Sequence, residues 1–214
     1  MASAVDNDVI YKSICYGLAL QLFLMIPSEI KDVGFLGSAR FVVRGRLRRA
    51  PPTRGSAVAL ADFEALLKQT TTLEPTQEEV LLAAELELTA QRLGLNLDGG
   101  ESQLCIMTAR RGFSSIVTGD KRAIAALEVV LATLNKIAEL AGKVICLEQL
   151  FLRLVAVSDP APIRAAVCRE AGVDRALSVC FGCYSPEMDK ESCIEGLQSY
   201  IRHLRRDATT ILAS

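Results

Sequence analysis

The sequence predicts an α/β fold in which a parallel sheet is flanked by helices. Three short apolar runs have the length and residue types of buried strands: Ala4–Val5, Ser115–Thr118 and Val144–Leu147. A segment with helical periodicity follows each run. Strands and helices that alternate along a chain are typical of a parallel sheet with helices packed on it.

The composition is that of a folded chain rich in aliphatic residues. The chain has 214 residues, of which 50% are hydrophobic and 5% aromatic, enough for one sizeable core and an extension. Its net charge is −1, so a basic surface for nucleic acid would have to be local. The apolar run Ile14–Ile26 is too short to span a bilayer, and Asp6 and Asp8 stand where a signal peptide would be basic. We therefore expect a cytoplasmic protein that does not enter a membrane.

The first half of the chain is predicted to be mostly helical. Helices are expected at Val9–Ile26, Leu36–Arg49, Ser56–Gln69 and Gln77–Arg92. Thr76 and Glu79 form the capping-box pattern that begins the last of these helices. The residues from 70 to 75 are expected to form a loop.

The second half continues the alternation and then becomes helical. Helices are expected at Ser102–Arg111, Lys121–Leu140, Glu148–Val155 and Cys193–Ala213. The proline-rich segment from 159 to 162 marks a boundary. We therefore predict a first domain at residues 1–150 and a mostly helical C-terminal extension at residues 151–214.

Carboxylates stand at the ends of two predicted strands and at the start of one helix. Asp6 and Asp8 follow the first strand, Asp120 follows Ser115–Thr118, and Glu101 begins a helix. Taken singly, Glu101 could merely cap its helix and Asp120 could merely turn the chain. Ligands of open α/β sheets bind beyond the carboxyl ends of the strands, so acids at two such ends favour a shared site. Gathered carboxylates repel one another and need a cation, and hard oxygen ligands suit Mg²⁺ or Mn²⁺.

A further acid is expected on the helix Gln77–Arg92. Glu87 falls within the arc that we assign to the inward face, which is defined by Val80, Ala83, Ala84, Leu88 and Gln91. A carboxylate on an inward face is costly unless something compensates its charge, and a metal cluster would do so. A satisfied hydrogen bond or a misjudged face would also explain the pattern. Glu85, near the edge of the arc, is the second candidate.

Arginines recur at helical spacing on the segment Leu36–Arg49. Arg40, Arg44 and Arg48 lie at positions i, i+4 and i+8 and so share one face. Such a face is either an ordinary solvated surface or a stripe that follows the phosphates of a nucleic acid. The sequence leaves both interpretations open.

Three motifs in this order resemble those of the PIN-domain family of metal-dependent ribonucleases. They are Asp6-Asn7-Asp8-Val9-Ile10, Gly100-Glu101-Ser102-Gln103 and Thr118-Gly119-Asp120-Lys121-Arg122-Ala123. The resemblance covers residues 1–150 and implies a PIN-like three-layer sandwich. The sequence departs from the family pattern at Gly119, where many relatives carry a second aspartate, and in the long insertion before Glu101.

The resemblance implies a Mg²⁺- or Mn²⁺-dependent endoribonuclease that hydrolyses single-stranded RNA. Its catalytic residues would be Asp6, Glu87, Glu101 and Asp120. Its metal ligands would be Asp6, Asp8, Glu101 and Asp120, and the ions would activate a water for attack on the phosphodiester. The alternative is an inactive PIN-like module that binds nucleic acid or protein. A homodimer or a protein inhibitor is compatible with either interpretation.

The chain contains seven cysteines. Cys15, Cys105 and Cys146 lie in apolar runs and are expected to be buried thiols. The C-terminal cysteines suggest a zinc site, but only Cys180 and Cys183 have the usual spacing. We therefore expect reduced thiols without zinc in this region. The single histidine, His203, argues against His-dependent nucleophilic catalysis.

Overall fold

Five parallel strands form the central sheet of the computed structural model, which describes residues 1–214 except for the side chains of residues 135 and 136. The strands are β1 (Ser3–Val5), β2 (Val33–Leu36), β3 (Thr71–Leu73), β4 (Ser115–Thr118) and β5 (Val144–Cys146). They lie in the order β3-β2-β1-β4-β5, and each neighbouring pair is parallel. The predicted α/β fold with a parallel sheet is confirmed.

Helices cover both faces of the sheet. Those before β4 are α1 (Asn7–Tyr16), α2 (Ala19–Phe23), α3 (Ala39–Arg49), α4 (Ser56–Gln69), α5 (Gln77–Arg92) and α6 (Gly99–Arg110). Those after it are α7 (Lys121–Leu131), α8 (Leu147–Val157), α9 (Pro160–Arg169), α10 (Arg175–Cys180) and α11 (Lys190–Asp207). The flanking helices and the helical C-terminal part agree with the predicted architecture.

Alternation of side chains along the strands separates two apolar cores. In β1, Val5 belongs to the core that α1 to α4 and α8 to α10 close, whereas Ala4 belongs to the core beneath α5, α6 and α7. In β4, Val117 and Ile116 divide in the same way. The period of two that strands impose on side-chain direction thus produces a three-layer sandwich.

Two strands were not predicted. β2 was missed because Leu36 fits the helical periodicity of the segment that follows it, whereas α3 begins only at Ala39. β2 also contains Gly34, where an added Cβ would lie 2.6 Å from the Leu73 side chain. β3 was placed in a loop because it is a short, largely polar edge strand.

Two long predicted helices are interrupted. Gly17 has φ of +70° and ends α1 in a left-handed cap, so the apolar run continues as a separate helix, α2. The helix expected to reach Leu140 ends at Leu131, and a 3-10 segment follows at Asn135–Leu140. Apolar periodicity carried across both breaks, which is why the sequence did not reveal them.

The C-terminal part packs on the same sheet as the rest of the chain. The Phe151 ring lies edge-on between the rings of Tyr16 and Phe181, at centroid distances of 5.9 and 5.5 Å. Leu212 forms a parallel bridge with Val144 at the edge of β5. The division at residue 150 remains a prediction, but apolar packing crosses it.

One expectation for the cysteines is wrong. Cys168 and Cys183 form a disulfide, whereas Cys180 and Cys193 are buried free thiols. The disulfide joins the end of α9 to the loop after α10, which sequence spacing alone could not indicate. In the described part of the chain, no helix combines the length and apolarity that crossing a membrane requires.

Candidate active site

A cleft of about 920 Å³ opens where β1 and β4 end. These strands are neighbours at the centre of the sheet, and the chain continues from them toward opposite edges. Such a reversal of strand order creates the crevice in which open α/β sheets bind ligands. Six acidic residues line the cleft: Asp6, Asp8, Asp98, Glu101, Asp120 and Asp174.

Asp6 is positioned by both the sheet and a helix. Its backbone N–H donates to the carbonyl of Val117 (2.9 Å), which extends the pairing of β1 with β4 by one residue. Its carboxylate caps α1 and accepts hydrogen bonds from the N–H groups of Asn7 (2.7 Å) and Asp8 (3.3 Å). Only 8% of Asp6 is exposed.

Glu101 is positioned by a reciprocal cap at the start of α6. Its N–H donates to Oδ1 of Asp98 (2.8 Å), and its Oε2 accepts from the N–H of Asp98 (3.1 Å). Gly99 and Gly100 occupy the first turn and also line the cleft. Only 9% of Glu101 is exposed.

Asp6 and Glu101 are buried carboxyls without a cationic partner. Among the described side chains, no lysine, arginine or histidine lies within ion-pair distance of either one. Burial, reinforced by the charge of Asp8, raises the pKa of Asp6 from 3.8 to about 6. Burial, together with the charges of Asp98, Asp6 and Asp120, raises the pKa of Glu101 from 4.5 to about 8. This end of the cleft is therefore poised to gain a proton or a cation.

Asp120 lies at the rim of the cleft, where its surroundings stabilise the ionised carboxylate. It caps α7, and its Oδ1 accepts from the N–H groups of Arg122 (2.8 Å) and Ala123 (3.4 Å). Its Oδ2 pairs with the Arg122 guanidinium at 3.2 Å. Partial burial opposes ionisation, but these contacts outweigh it and lower the pKa of Asp120.

Asp8 is held by two cations of the chain. Lys12 Nζ lies 2.5 Å from Oδ2 of Asp8, one helical turn along α1, and Arg46 of α3 lies 3.0 Å from Oδ1. The Arg46 guanidinium also stacks 3.7 Å above the ring of Tyr11. The predicted metal ligand Asp8 is thus already neutralised within the protein.

The ion pairs continue from Lys12 into the C-terminal part of the chain. Lys12 Nζ lies 2.7 Å from Oδ2 of Asp174, which caps α10, and the same oxygen lies 3.5 Å from Lys121 Nζ. Lys121 in turn lies 2.8 Å from Oε1 of the fully buried Glu148. Neither oxygen of Glu148 accepts a well-aligned hydrogen bond, so its stabilisation depends on charge. Positive and negative groups therefore alternate across one side of the cleft.

The pKa shifts in this network follow the same charges. Burial opposes the charged form of Lys12, but Asp8 and Asp174 outweigh it and raise the pKa of Lys12. Glu148 and Asp174 likewise overcome burial and raise the pKa of Lys121. Burial also opposes ionisation of Asp174, yet Lys12 and Lys121 lower the pKa of Asp174. All three groups are held in their charged forms.

Gly119 allows the Asp8–Lys12 pair to lie against the end of β4. A Cβ added at this position would be 2.7 Å from Oδ2 of Asp8 and 3.3 Å from Nζ of Lys12. A side chain there would force the ion pair to move. Glycine at position 119, where the PIN-domain motif often has an aspartate, thus leaves room for the Asp8–Lys12 ion pair.

The expected inward face of α5 is wrong. Its buried residues are Glu79, Ala83, Leu86 and Ala90, whereas Val80 and Leu88 are exposed. The buried acid of this helix is Glu79, which pairs with Arg111 at 2.6 Å. The helix is apolar on nearly all sides, so periodicity selected a wrong arc.

Glu87 and Glu85 lie outside the residues that line the cleft. Glu87 is half-buried, and its Oε2 would be 3.4 Å from a Cβ added to Gly99, so it lies beside the first turn of α6. Glu85 is exposed and adjoins a small apolar pocket with Leu82 and Leu86. The structure thus places neither of them with Asp6 and Glu101 in the cleft.

The predicted arginine stripe faces away from the cleft. Arg44 pairs with Glu64 at 2.7 Å, Arg40 donates to Oγ1 of Thr72 (3.0 Å), and Arg48 is exposed. The arginines that line the cleft are Arg46, Arg122 and Arg175. Helical spacing grouped the three arginines correctly, but it could not show which face of α3 meets the cleft.

The donor set of the cleft suits a hard divalent cation. Asp6, Glu101 and Asp120 offer carboxylate oxygens on the same side of the sheet, and two of them have no compensating charge in the described protein. As these side chains stand, no three acidic, histidine or cysteine residues of the described part are grouped closely enough to hold an ion. Metal binding therefore remains a prediction, one that the unpaired charge of Asp6 and Glu101 motivates.

Sequence reasoning missed the partners of the acids. Lys12 could have been found, because it is a lysine inside a long apolar run and lies four residues after Asp8. Asp174 carried no comparable signal, since its contact with Lys12 spans 162 residues. Asp98 was seen as part of a turn, and its cap on Glu101 follows the capping-box pattern.

No protein-family model, curated protein or solved structure matches this chain.

Proposed function

We propose that the protein is a metal-dependent ribonuclease whose site is the acidic end of this cleft. The observation that carries the proposal is the pair of buried, unpaired carboxyls of Asp6 and Glu101 beside Asp120 at the point where strand order reverses. Asp6, Glu101 and Asp120 would hold Mg²⁺ or Mn²⁺. A bound ion supplies an activated water and stabilises the leaving oxygen of a phosphodiester.

The chain's own contribution is orientation and charge. The caps on α1 and α6 hold the Asp6 and Glu101 carboxylates at the cleft. Arg122, whose side chain is 77% exposed, and Arg175 stand at the rim, where a phosphate backbone would approach. The choice of RNA over DNA rests only on the resemblance to PIN-domain ribonucleases.

An inactive module that binds nucleic acid or protein is the second candidate. It is favoured by the cations that already neutralise Asp8 and Asp120, since these two carboxylates have less need of a metal. A homodimer or a protein inhibitor would suit either function.

The test is degradation of single-stranded RNA by the wild type beside Asp6→Asn, with Mn²⁺ or Mg²⁺ supplied. We expect cleavage by the wild type and none by the variant, which keeps the α1 cap because asparagine caps as well as aspartate. Equal activity in the two proteins would indicate a contaminating nuclease. No activity in the wild type with either metal would favour the binding module.

Binding of RNA can be tested separately by salt titration. The double change Arg122→Ala and Arg175→Ala should weaken binding and reduce the salt slope by about 0.7 for each lost phosphate contact. Arg44→Ala with Arg48→Ala is the matched control, because it removes as many arginines outside the cleft. A larger loss of RNA affinity in the control would favour an interface on the face of α3 that carries Arg40, Arg44 and Arg48, as the sequence predicted.

The cytoplasmic location expected from the sequence is kept as part of this proposal. The Cys168–Cys183 disulfide is in tension with it, because disulfides persist mainly in oxidising compartments. Mass spectrometry of protein alkylated at the moment of cell lysis would count the free thiols. Modification of Cys168 and Cys183 would support the cytoplasm, and their protection would contradict it.

A further inference from the structure

We infer that the ammonium of Lys12 takes the place that a second divalent ion would otherwise have beside Asp8. The site then binds one divalent ion, and Asp8 is not among its ligands. The inference rests on the proposed metal site and concerns how that site is divided. It is drawn from the contacts of Asp8, Lys12 and Gly119.

Asp8 has no carboxylate oxygen left without a cation. Lys12 lies 2.5 Å from Oδ2 and Arg46 lies 3.0 Å from Oδ1. For Asp8 to ligate a metal, at least one of these pairs would have to break. Asp6, two residues earlier, has no such partner among the described side chains.

Lys12 is fixed in place by two carboxylates from distant parts of the chain. Its Nζ lies between Asp8 of α1 and Asp174 at the start of α10, at 2.5 and 2.7 Å. Its side chain is only 10% exposed. A buried lysine between two carboxylates cannot swing into solvent without leaving both uncompensated.

Gly119 lets this ammonium lie against the end of β4. The space that a side chain at position 119 would fill is taken by Oδ2 of Asp8 and Nζ of Lys12, and the next residue is Asp120. The fixed positive charge therefore stands at the end of β4. A second divalent ion beside Asp8 would face the ammonium directly, and like charges at such range repel strongly in a partly buried site.

The cleft is thus divided by charge into two ends. At one end Asp8 and Asp174 are neutralised by Lys12, Arg46 and Lys121. At the other end Asp6 and Glu101 have no cation in the described protein. A single divalent ion at the second end would complete the alternation of charge across the cleft.

Calorimetric titration of the full chain with Mn²⁺ tests the inference. The wild type should bind one ion per chain. Asp6→Asn should weaken binding by at least about tenfold, whereas Asp8→Asn should leave the affinity within about threefold. Lys12→Gln should bind a second ion. Lys121→Gln, which removes another lysine that pairs with Asp174, is the control and should still bind one.

Two ions bound by the wild type, or equal weakening by Asp6→Asn and Asp8→Asn, would overturn the inference while leaving the proposed metal site intact. No binding by the wild type would overturn the metal site itself. If Lys12→Gln fails to fold, as circular dichroism would show, the comparison of the two aspartate variants still decides.

Discussion

Carboxylates within one cleft can differ in whether their charge favours the fold. Asp120 accepts hydrogen bonds from the first turn of α7 and pairs with Arg122, and its pKa is lowered. Asp6 and Glu101 are more deeply buried, have no such cation among the described side chains, and have raised pKa values. These acids are therefore not equivalent members of one repelling cluster, as their positions in the sequence suggested.

Removing charge should therefore have opposite effects at two of these positions. In metal-free buffer at pH 8, Asp6→Asn should stabilise the protein by about 1–3 kcal/mol, because each unit of pKa shift corresponds to about 1.4 kcal/mol. Asp120→Asn should destabilise it by up to about 1 kcal/mol, through lost helix-dipole and ion-pair interactions.

Urea denaturation of both variants beside the wild type provides the measurement. Repulsion within a cluster of equivalent acids would instead predict stabilisation by both substitutions. Destabilisation by Asp6→Asn would contradict the absence of a cationic partner for that residue.

Glu101 makes the stability of the metal-free protein depend on pH. Between pH 4.5 and about 8 the folded chain retains a proton on Glu101 that the unfolded chain has released. The free energy of unfolding should consequently fall as the pH rises through this interval and level off above it.

Glu101→Gln should flatten this decline, and glutamine preserves the capping box with Asp98. Chemical denaturation at a series of pH values is the measurement, and Glu78→Gln on the exposed side of α5 is a matched control. An equally steep decline in Glu101→Gln and wild type would show that another group is responsible.

Which site residues could be predicted depends on how local their contacts are. Asp6, Glu101 and Asp120 could be found because each is placed by an adjacent strand end or helix start. The contact between Lys12 and Asp174 could not, because it joins residues that only the complete fold brings together.

Among secondary-structure elements, those with a local signal were predicted well. The ranges of α4, α5 and β4 agree with the sequence prediction. A capping box marks the start of α5, and a short β-branched run marks β4. β2 and β3 were missed because both are short: Leu36 of β2 fits the helical periodicity that follows it, and β3 is a largely polar edge strand. The face of α5 was wrong because apolar residues occur on nearly all sides of this helix, which leaves no clear inward direction.

Lys121 at the start of α7 forms an ion pair with Glu148 at the start of α8. Lys121 is the cation next to Glu148, which is 0% exposed. Lys121→Met should lower stability by about 3–5 kcal/mol, because it leaves a buried carboxylate without a cation.

The double change Lys121→Met and Glu148→Met should recover most of that loss, since two apolar side chains of similar volume replace the pair. Urea denaturation of the single and double variants is the measurement. A single variant as stable as the wild type would show that the pair contributes little, and a double variant no better than the single would mean that packing dominates.

At the scale of the whole molecule, the C-terminal part completes both the core and the cleft. Phe181 and Leu197 join the core formed by α1 to α4, and Leu212 joins the opposite core. Asp174 supplies a wall of the cleft and a partner for Lys12. The sequence revealed the helical character of this part but not its place in the sheet's packing, which depends on non-local apolar contacts.

A chain truncated after Leu150 should accordingly fail to fold cooperatively. Truncation would expose the Tyr16 face that Phe151 and Phe181 cover and would remove the carboxylate beside Lys12. Thermal unfolding followed by circular dichroism, with the full chain as control, is the measurement. A sharp transition in the truncated chain would instead establish residues 1–150 as an independent domain.

The most direct test of the central claim is anomalous diffraction from crystals soaked in Mn²⁺. We predict one anomalous peak per chain, in contact with the carboxylates of Asp6 and Glu101, with Asp8 still paired to Lys12. No peak in the cleft, or a peak held by Asp8 and Asp174 in place of Lys12, would contradict the account.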